Sequence, residues 1–195
     1  MNTSLFPLFK FKFVWSGPMN LESIDQAFTN FISGPVARAL PQKLRDTFLL
    51  RAFGIKIPLL LFATPTVIEL NDERCEIKIP LNRRTKNHLG SMYFGALAIG
   101  ADCAGGMIAL RMVQKSGVEV SLIFKDFQAE FLKRPEGDVH FSCENGKEIN
   151  ELVARTIESG VRQNLSVQVT ARVPGKLGLE PVARFTLTLS LKRMS

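Results

Sequence analysis

The spacing of apolar residues changes character along this chain. In the first third it follows a helical period. Leu21 to Phe31 reads as a short helix with Asn20 placed to cap it, and Gly34-Pro35 breaks it. Val36 to Phe53 carries apolar residues three and four apart and is expected to end near Gly54. Pro58 and Pro65 then bracket an apolar connector. Beyond residue 66 a period of two takes over. Val67 to Leu70 is extended, Asn71-Asp72 marks a turn, and Arg74 to Leu81 alternates. There Cys75, Ile77 and Ile79 point one way and Glu76 and Lys78 the other, as in a half-buried strand. Val118 to Phe131, Val139 to Cys143, Gln163 to Val173 and Val182 to Lys192 read as further strands. Lys147 to Ser159 reads as a helix closed by Gly160, and Pro174 to Pro181 as a loop. Hairpin-like strands following one long helix, Met92 to Val113, predict an α+β fold with an antiparallel sheet. Residues 1–55 are expected to form an N-terminal helical extension and residues 56–195 the main domain, together one globular unit.

The central helix is unusual in composition. Between Asn87 and Leu110 the single formal charge is Asp102, and Gly95, Gly100, Gly105 and Gly106 interrupt an Ala-rich run. Each interior glycine costs about 1 kcal/mol relative to alanine, so four of them imply close approach of another backbone. At helical spacing Asp102 shares a face with Gly95, Ala98, Ile99, Gly105, Gly106 and Ala109, a stripe narrow enough for a sheet to wrap. Asp102 is therefore expected in a crowded, mostly apolar setting, where burial raises a carboxyl pKa. Two readings stay open for it: a structural acid bonded to a neighbour, or a catalytic group.

Composition narrows the class. The chain has 195 residues, 46% hydrophobic and 22% charged, which is globular composition. Its 25 basic and 18 acidic residues give a net charge of +7, spread along the chain without a basic arm. That diffuse charge does not single out nucleic acid, and no nucleic-acid partner is expected. Cys75, Cys103 and Cys143 are odd in number and far apart, so a disulfide framework is not expected. With two histidines and no CxxC, no metal site is expected either. Pro7, Lys10 and Lys12 interrupt the apolar N-terminus, which makes a poor signal peptide. Arg51, Lys56 and Pro58 break the run Phe48 to Ala63, so no membrane span is expected there and a cytoplasmic location is the default.

Asn87-His88-Leu89-Gly90-Ser91-Met92-Tyr93-Phe94-Gly95, then six residues and Asp102, resembles the motif leading into the central helix of hotdog-fold acyl-CoA thioesterases. Tyr93 takes the place of that family's aromatic or His. Lys125-Asp126-Phe127 through Phe131-Leu132-Lys133-Arg134-Pro135 resembles the strand that follows the helix, which often ends in Arg-Pro. Lys56-Ile57-Pro58 through Pro80-Leu81-Asn82-Arg83-Arg84-Thr85-Lys86-Asn87-His88 is similar to the DUF4442 branch of the PaaI-like thioesterase superfamily. One departure stands out: Phe94 occupies the place of the first of two glycines, where bulk bears on pocket shape and on the backbone amide.

The resemblance implies a hotdog fold, a long central helix wrapped by an antiparallel sheet, acting on a fatty or aromatic acyl thioester and releasing free acid and coenzyme A. No cofactor is implied beyond coenzyme A as part of the substrate. Gly95, in the first turn, would offer its N–H to the oxyanion. Asp102 would act as general base or nucleophile, and Asn87 would orient water or carbonyl. A plain turn or cap residue is an equal reading of Asn87. Tyr93 and Phe94 would shape the acyl pocket. Arg83, Arg84 and Lys86, with Lys133 and Arg134, would meet the phosphates, and solvated surface is the competing reading for these cations. Gly95 and Asp102 lie two turns apart, about 10 Å, and in hotdog relatives the site forms across a dimer. A homodimer or a dimer of dimers is therefore implied, in keeping with the sheet edges that one sheet leaves open. Ser91 reads as the helix N-cap, His88 as a loop residue, and His140 and Cys103 as structural. A non-catalytic acyl- or lipid-binding protein of the same fold is the alternative function, with a hotdog dehydratase third.

Overall fold

The computed structural model describes residue 34 and residues 39–194. The helix read over Leu21 to Phe31 lies outside them. Helix α1 (Gln42–Lys56) starts behind Pro41, whose carbonyl accepts the N–H groups of Leu44 and Arg45 at 3.0 and 3.1 Å. The expected stop at Gly54 does not occur. Leu61 of α2 (Pro58–Ala63) presses on Gly54 so closely that a Cβ there would collide with it, so the glycine serves helix–helix contact inside α1. The expected connector is thus the short helix α2. Pro58 fits its first turn, where no intrahelical donor is needed.

Six strands form one antiparallel sheet in the order β1-β2-β4-β5-β6-β3. They are β1 (Thr66–Leu70), β2 (Cys75–Ile79), β3 (Val120–Phe131), β4 (Val139–Cys143), β5 (Gln163–Arg172) and β6 (Pro181–Arg193). Each lies where alternation places it. Cys75, Ile77 and Ile79 are fully buried, while Glu76 and Lys78 on the same strand are partly exposed. Helix α3 (Phe94–Ser116) crosses the inner face of the sheet, and Gly117 closes it in the left-handed conformation at φ 67°. Helix α4 (Gly146–Ser159) buries Ile149, Leu152 and Val153 alongside it. The loop expected after β5 contains one turn of helix, α5 (Pro174–Leu177). A long helix wrapped by an antiparallel sheet is the hotdog arrangement that the resemblance implies.

Wrapping depends on the small residues of α3. The Phe141 ring of β4 occupies the space a side chain at 100 would need, and Val167, Val169 and Leu187 line Gly105 at 3.5–3.9 Å from a Cβ position. Cys103 is a buried free thiol on this helix, and Cys75 and Cys143 are buried free thiols facing each other across β2 and β4. α3 is long and apolar enough to cross a membrane, but most of it is covered by the sheet, as expected of a core helix.

The two sheet edges differ. Along β1, side chains of α1 satisfy the open backbone groups: Val67 N–H donates to Thr47 Oγ1 at 2.9 Å, Gln42 Nε2 donates to the Leu70 carbonyl at 3.3 Å, and Arg51 Nε donates to the Pro65 carbonyl at 3.1 Å. No element of this chain pairs with the outer side of β3 among the described residues. β3 bulges between Phe124 and Phe127, which returns Phe127, Ala129 and Phe131 to the inner face opposite Leu187, Phe185 and Ala183. Phe127 and Phe131 nevertheless remain 43% and 54% exposed.

Gly100→Ala and Gly105→Ala separate steric from helical effects. Gly100→Ala is expected to destabilise by about 1–3 kcal/mol through overpacking against Phe141. Gly105→Ala meets only ordinary contacts and should be neutral or gain up to about 1 kcal/mol from propensity. Urea unfolding of both variants measures the contrast.

Candidate functional site

The approach to α3 is built from side chains that hold backbone. Buried Thr85 donates its Oγ1 hydroxyl to the Pro80 carbonyl at 2.6 Å and accepts Asn82 N–H at 3.0 Å. Asn87 Oδ1 accepts the N–H groups of Leu89 and Ser91 at 2.9 and 3.2 Å, and its Nδ2 donates to Ser91 Oγ at 3.1 Å. Gly90 completes this turn at φ 82°, a conformation that favours glycine. Asn87 is thus committed to shaping the turn, and Ser91 bonds to Asn87 instead of capping the helix. The N-cap position belongs to Tyr93, which makes no side-chain capping bond. Two backbone bonds fix the helix start. Tyr93 N–H donates to Thr85 O at 2.8 Å, and Met92 N–H to Pro135 O at 2.9 Å, just past the end of β3.

A cleft of about 520 Å³ opens there. It brings together Asn87, Tyr93, Phe94, Lys133 and Arg134 from the sequence reading. It also recruits His88 and Phe131, which that reading did not assign to a site. Phe131 is one of the inner-face residues after the β3 bulge, and alternation alone could not have found it, because the bulge resets the register. The amides of Phe94 and Gly95, first in the helix, have no acceptor among the described residues. Such donors sit at the positive end of the helix dipole. Phe94, the departure from the resembled motif, leaves the backbone regular and turns its ring outward, 61% exposed. Its ring centroid lies 4.7 Å from that of Tyr93. The Tyr93 ring lies over Gly95, with Cε1 2.7 Å from the position a Cβ would occupy, so a side chain at 95 would make the half-exposed Tyr93 ring move.

Asp102 does not line the cleft. It is partly buried on the α3 face shared with Gly106, against which Phe124 of β3 packs. Its carboxyl has no hydrogen bond or ion pair among the described residues, and burial pushes its pKa above the ordinary carboxylate value. Of the other cations, Arg83, Arg84 and Lys86 are exposed on the approach loop outside the cleft, and Arg84 lies over the Phe62 ring at 5.8 Å. Lys133 pairs with Glu180, whereas Arg134 has no carboxylate partner among the described residues. His140 is held by Glu76 at 2.7 Å on the outer sheet face, in the structural role its sequence suggested. A second cavity, about 300 Å³ between α1 and α3, includes Arg111 and Lys115, both paired with Asp72.

An acid whose folded-state pKa is raised opposes folding once ionised. The penalty is absent below the unfolded carboxylate pKa, about 4. It grows as pH rises through that value and is complete above the folded-state pKa. Asp102→Asn should therefore be more stable than the wild type at neutral pH, with the difference closing as pH falls toward about 4. Urea unfolding across pH measures it, and equal stability at neutral pH would mean that the carboxylate is solvated.

Solved structures with this architecture are numerous. A protein of unknown function from Chlorobaculum tepidum superposes with a TM-score of 0.67 at 12% identity, covering 76% of this chain and 94% of its own. A Pseudomonas aeruginosa protein of unknown function, described as a probable thioesterase, gives 0.63 at 23% identity, covering 80% and 97%. A Haemophilus influenzae thioesterase gives 0.53 at 14% identity, covering 74% and 90%. At these identities the likeness shows the shared fold. Among curated proteins, none matches the sequence significantly. The model of the domain of unknown function DUF4442 matches residues 45–190, a span that includes most of α1, the whole approach to α3 and nearly all of the sheet. The chain belongs to the DUF4442 family.

Proposed function

We propose that this protein hydrolyses acyl thioesters. The observation that carries the reading is the pair of acceptor-free amides, Phe94 and Gly95, at the start of α3, where Phe94 lines a cleft walled by aromatic rings and Gly95 lies next to it behind the Tyr93 ring. In the proposed reaction a water oxygen bonds to the thioester carbonyl carbon while a carboxylate takes its proton. The carbonyl oxygen becomes an oxyanion held by the helix amides. The C–S bond then breaks, leaving the free acid and a thiolate that takes up a proton. Asp102, without a hydrogen-bond or ion-pair partner among the described residues and with its pKa raised above the ordinary carboxylate value by burial, is the candidate for that base. Thioesterases among the structural neighbours support the reading at the level of reaction class.

Within one chain the amides and Asp102 are about 10 Å apart along α3, too far to act on one carbonyl. A second copy pairing along β3 resolves this. β3 is the edge that α1 leaves uncovered, and its inner face exposes Phe127 and Phe131. Two-fold pairing of β3 strands would run the two α3 helices in opposite directions and bring the partner's Asp102 toward this chain's amides. We place the coenzyme A phosphates at Arg134 and Lys133 on the cleft rim. Tyr93, Phe94 and Phe131 face the acyl group. Asn87 holds the turn that aims the amides, which makes it a positioning residue.

A panel of acyl-CoAs tests the activity. Folded Asp102→Asn is expected to lose about 10²–10⁴-fold in kcat, the usual effect of removing an acid or base. Arg134→Gln should raise KM for acyl-CoAs and leave it unchanged for short thioesters without the nucleotide. Wild-type turnover by Asp102→Asn would remove the carboxylate from the mechanism. Saturable acyl binding without turnover by the wild type would favour a non-catalytic acyl-binding protein. Light scattering is expected to give the mass of at least two chains, and Phe127→Lys with Phe131→Lys to reduce it.

A further inference from the structure

The tip of the N-terminal hairpin exposes large apolar side chains that neither the core nor the cleft uses. Leu59 and Phe62 of α2 are 63% and 53% exposed, and Ile57 beside them is similarly open. The neighbouring surface is cationic. The Arg84 guanidinium lies 5.8 Å from the centroid of the Phe62 ring, and Arg83 and Lys86 extend from the same loop. None of these three cations has a carboxylate partner among the described residues. The segments that build the surface, residues 47–68 and 79–101, contain no Asp or Glu at all. Apolar side chains edged by unpaired cations are the signature of a surface that enters the headgroup and acyl boundary of a bilayer.

We propose that the α2 tip and the Arg83–Lys86 loop together dock this protein on an anionic lipid surface. Ile57, Leu59 and Phe62 would sink into the acyl boundary while Arg83, Arg84 and Lys86 meet phosphate headgroups. Other occupants fit less well. A nucleic-acid backbone would match the cations but leave the aliphatic side chains in water. A second copy packed symmetrically on this face would set Arg83, Arg84 and Lys86 against the same cations of the other copy. The surface also adjoins the cleft: Thr85, next to Arg84, accepts the Tyr93 N–H at 2.8 Å. Docking would hold the cleft near the membrane, where long acyl groups partition. The proposal rests on the surface alone and does not require thioester hydrolysis.

Sedimentation of the full chain with vesicles tests it without reference to turnover. One set contains equal parts phosphatidylglycerol and phosphatidylcholine, the other phosphatidylcholine alone. The wild type is expected to pellet with the anionic set, less with the neutral set, and less in high salt. Arg83→Gln with Arg84→Gln should weaken anionic binding by about 25-fold, roughly fivefold per cation. Leu59→Ser with Phe62→Ser should weaken it by at least about tenfold. These side chains are exposed, and thermal unfolding matching the wild type confirms that the variants fold. No pelleting of the wild type with anionic vesicles would overturn the proposal, as would wild-type pelleting by both double variants. A light-scattering mass that falls when Leu59 and Phe62 are replaced would assign the face to a second copy instead.

Discussion

The close approach of α3 to the sheet is the contact from which the rest of the structure follows. An aromatic ring can stand against the helix backbone at Gly100, and three branched side chains can close over Gly105, only because those positions lack a Cβ. The helix gives up intrinsic stability at each glycine and gains dispersion contact and apolar burial across the sheet in return. Phe141, Phe185 and Leu187, all buried beside it, form a core that larger helix residues would push apart. The inner face of the sheet and the direction of α3 are both set by this contact.

From it follows the position of the helix N-terminus. Thr85 and Pro135 take the backbone donors of Tyr93 and Met92 from two different segments, so the first helix amides are held in place before any ligand arrives. Asn87 and Gly90 shape the turn that allows this. The same helix carries into a partly buried position a carboxyl that has no hydrogen-bond or ion-pair partner among the described residues, at a cost to folding. Strain of that kind is common where a group is held for chemistry. The helix start borders the cleft and the acid lies outside it, about two turns further along α3.

The two sheet edges are treated differently. α1 occupies the β1 edge with Thr47, Gln42 and Arg51 bonded to it, while the longer β3 edge stays open with aromatic side chains beside it. An open strand edge is the kind that natural proteins cover or pair. The α2 tip is a separate matter. Its exposed Leu59 and Phe62 lie apart from the core and the β3 edge, and the cations near them have no carboxylate partner among the described residues.

Much of this was legible in the chain. Alternation placed the strands because one face of each is buried, and the helix–strand order implied an antiparallel sheet. The Asn87–Asp102 motif pointed to the segment where the cleft lies, and the glycines of α3 announced a close neighbour. Other features depended on groups distant in sequence. Gly54 stays inside α1 because Leu61 packs there, and local propensity carries no record of that contact. Ser91 is no cap because Asn87 claims its hydroxyl, leaving Tyr93 at the helix start. Phe131 reaches the cleft through a bulge that shifts the alternation, and Arg83 and Arg84 leave it because their loop leans toward Phe62. Periodicity reports which face of an element is buried, since that follows from solvent. Which partner covers the face, and which side chains meet in one cavity, is decided by packing between segments that the sequence holds far apart.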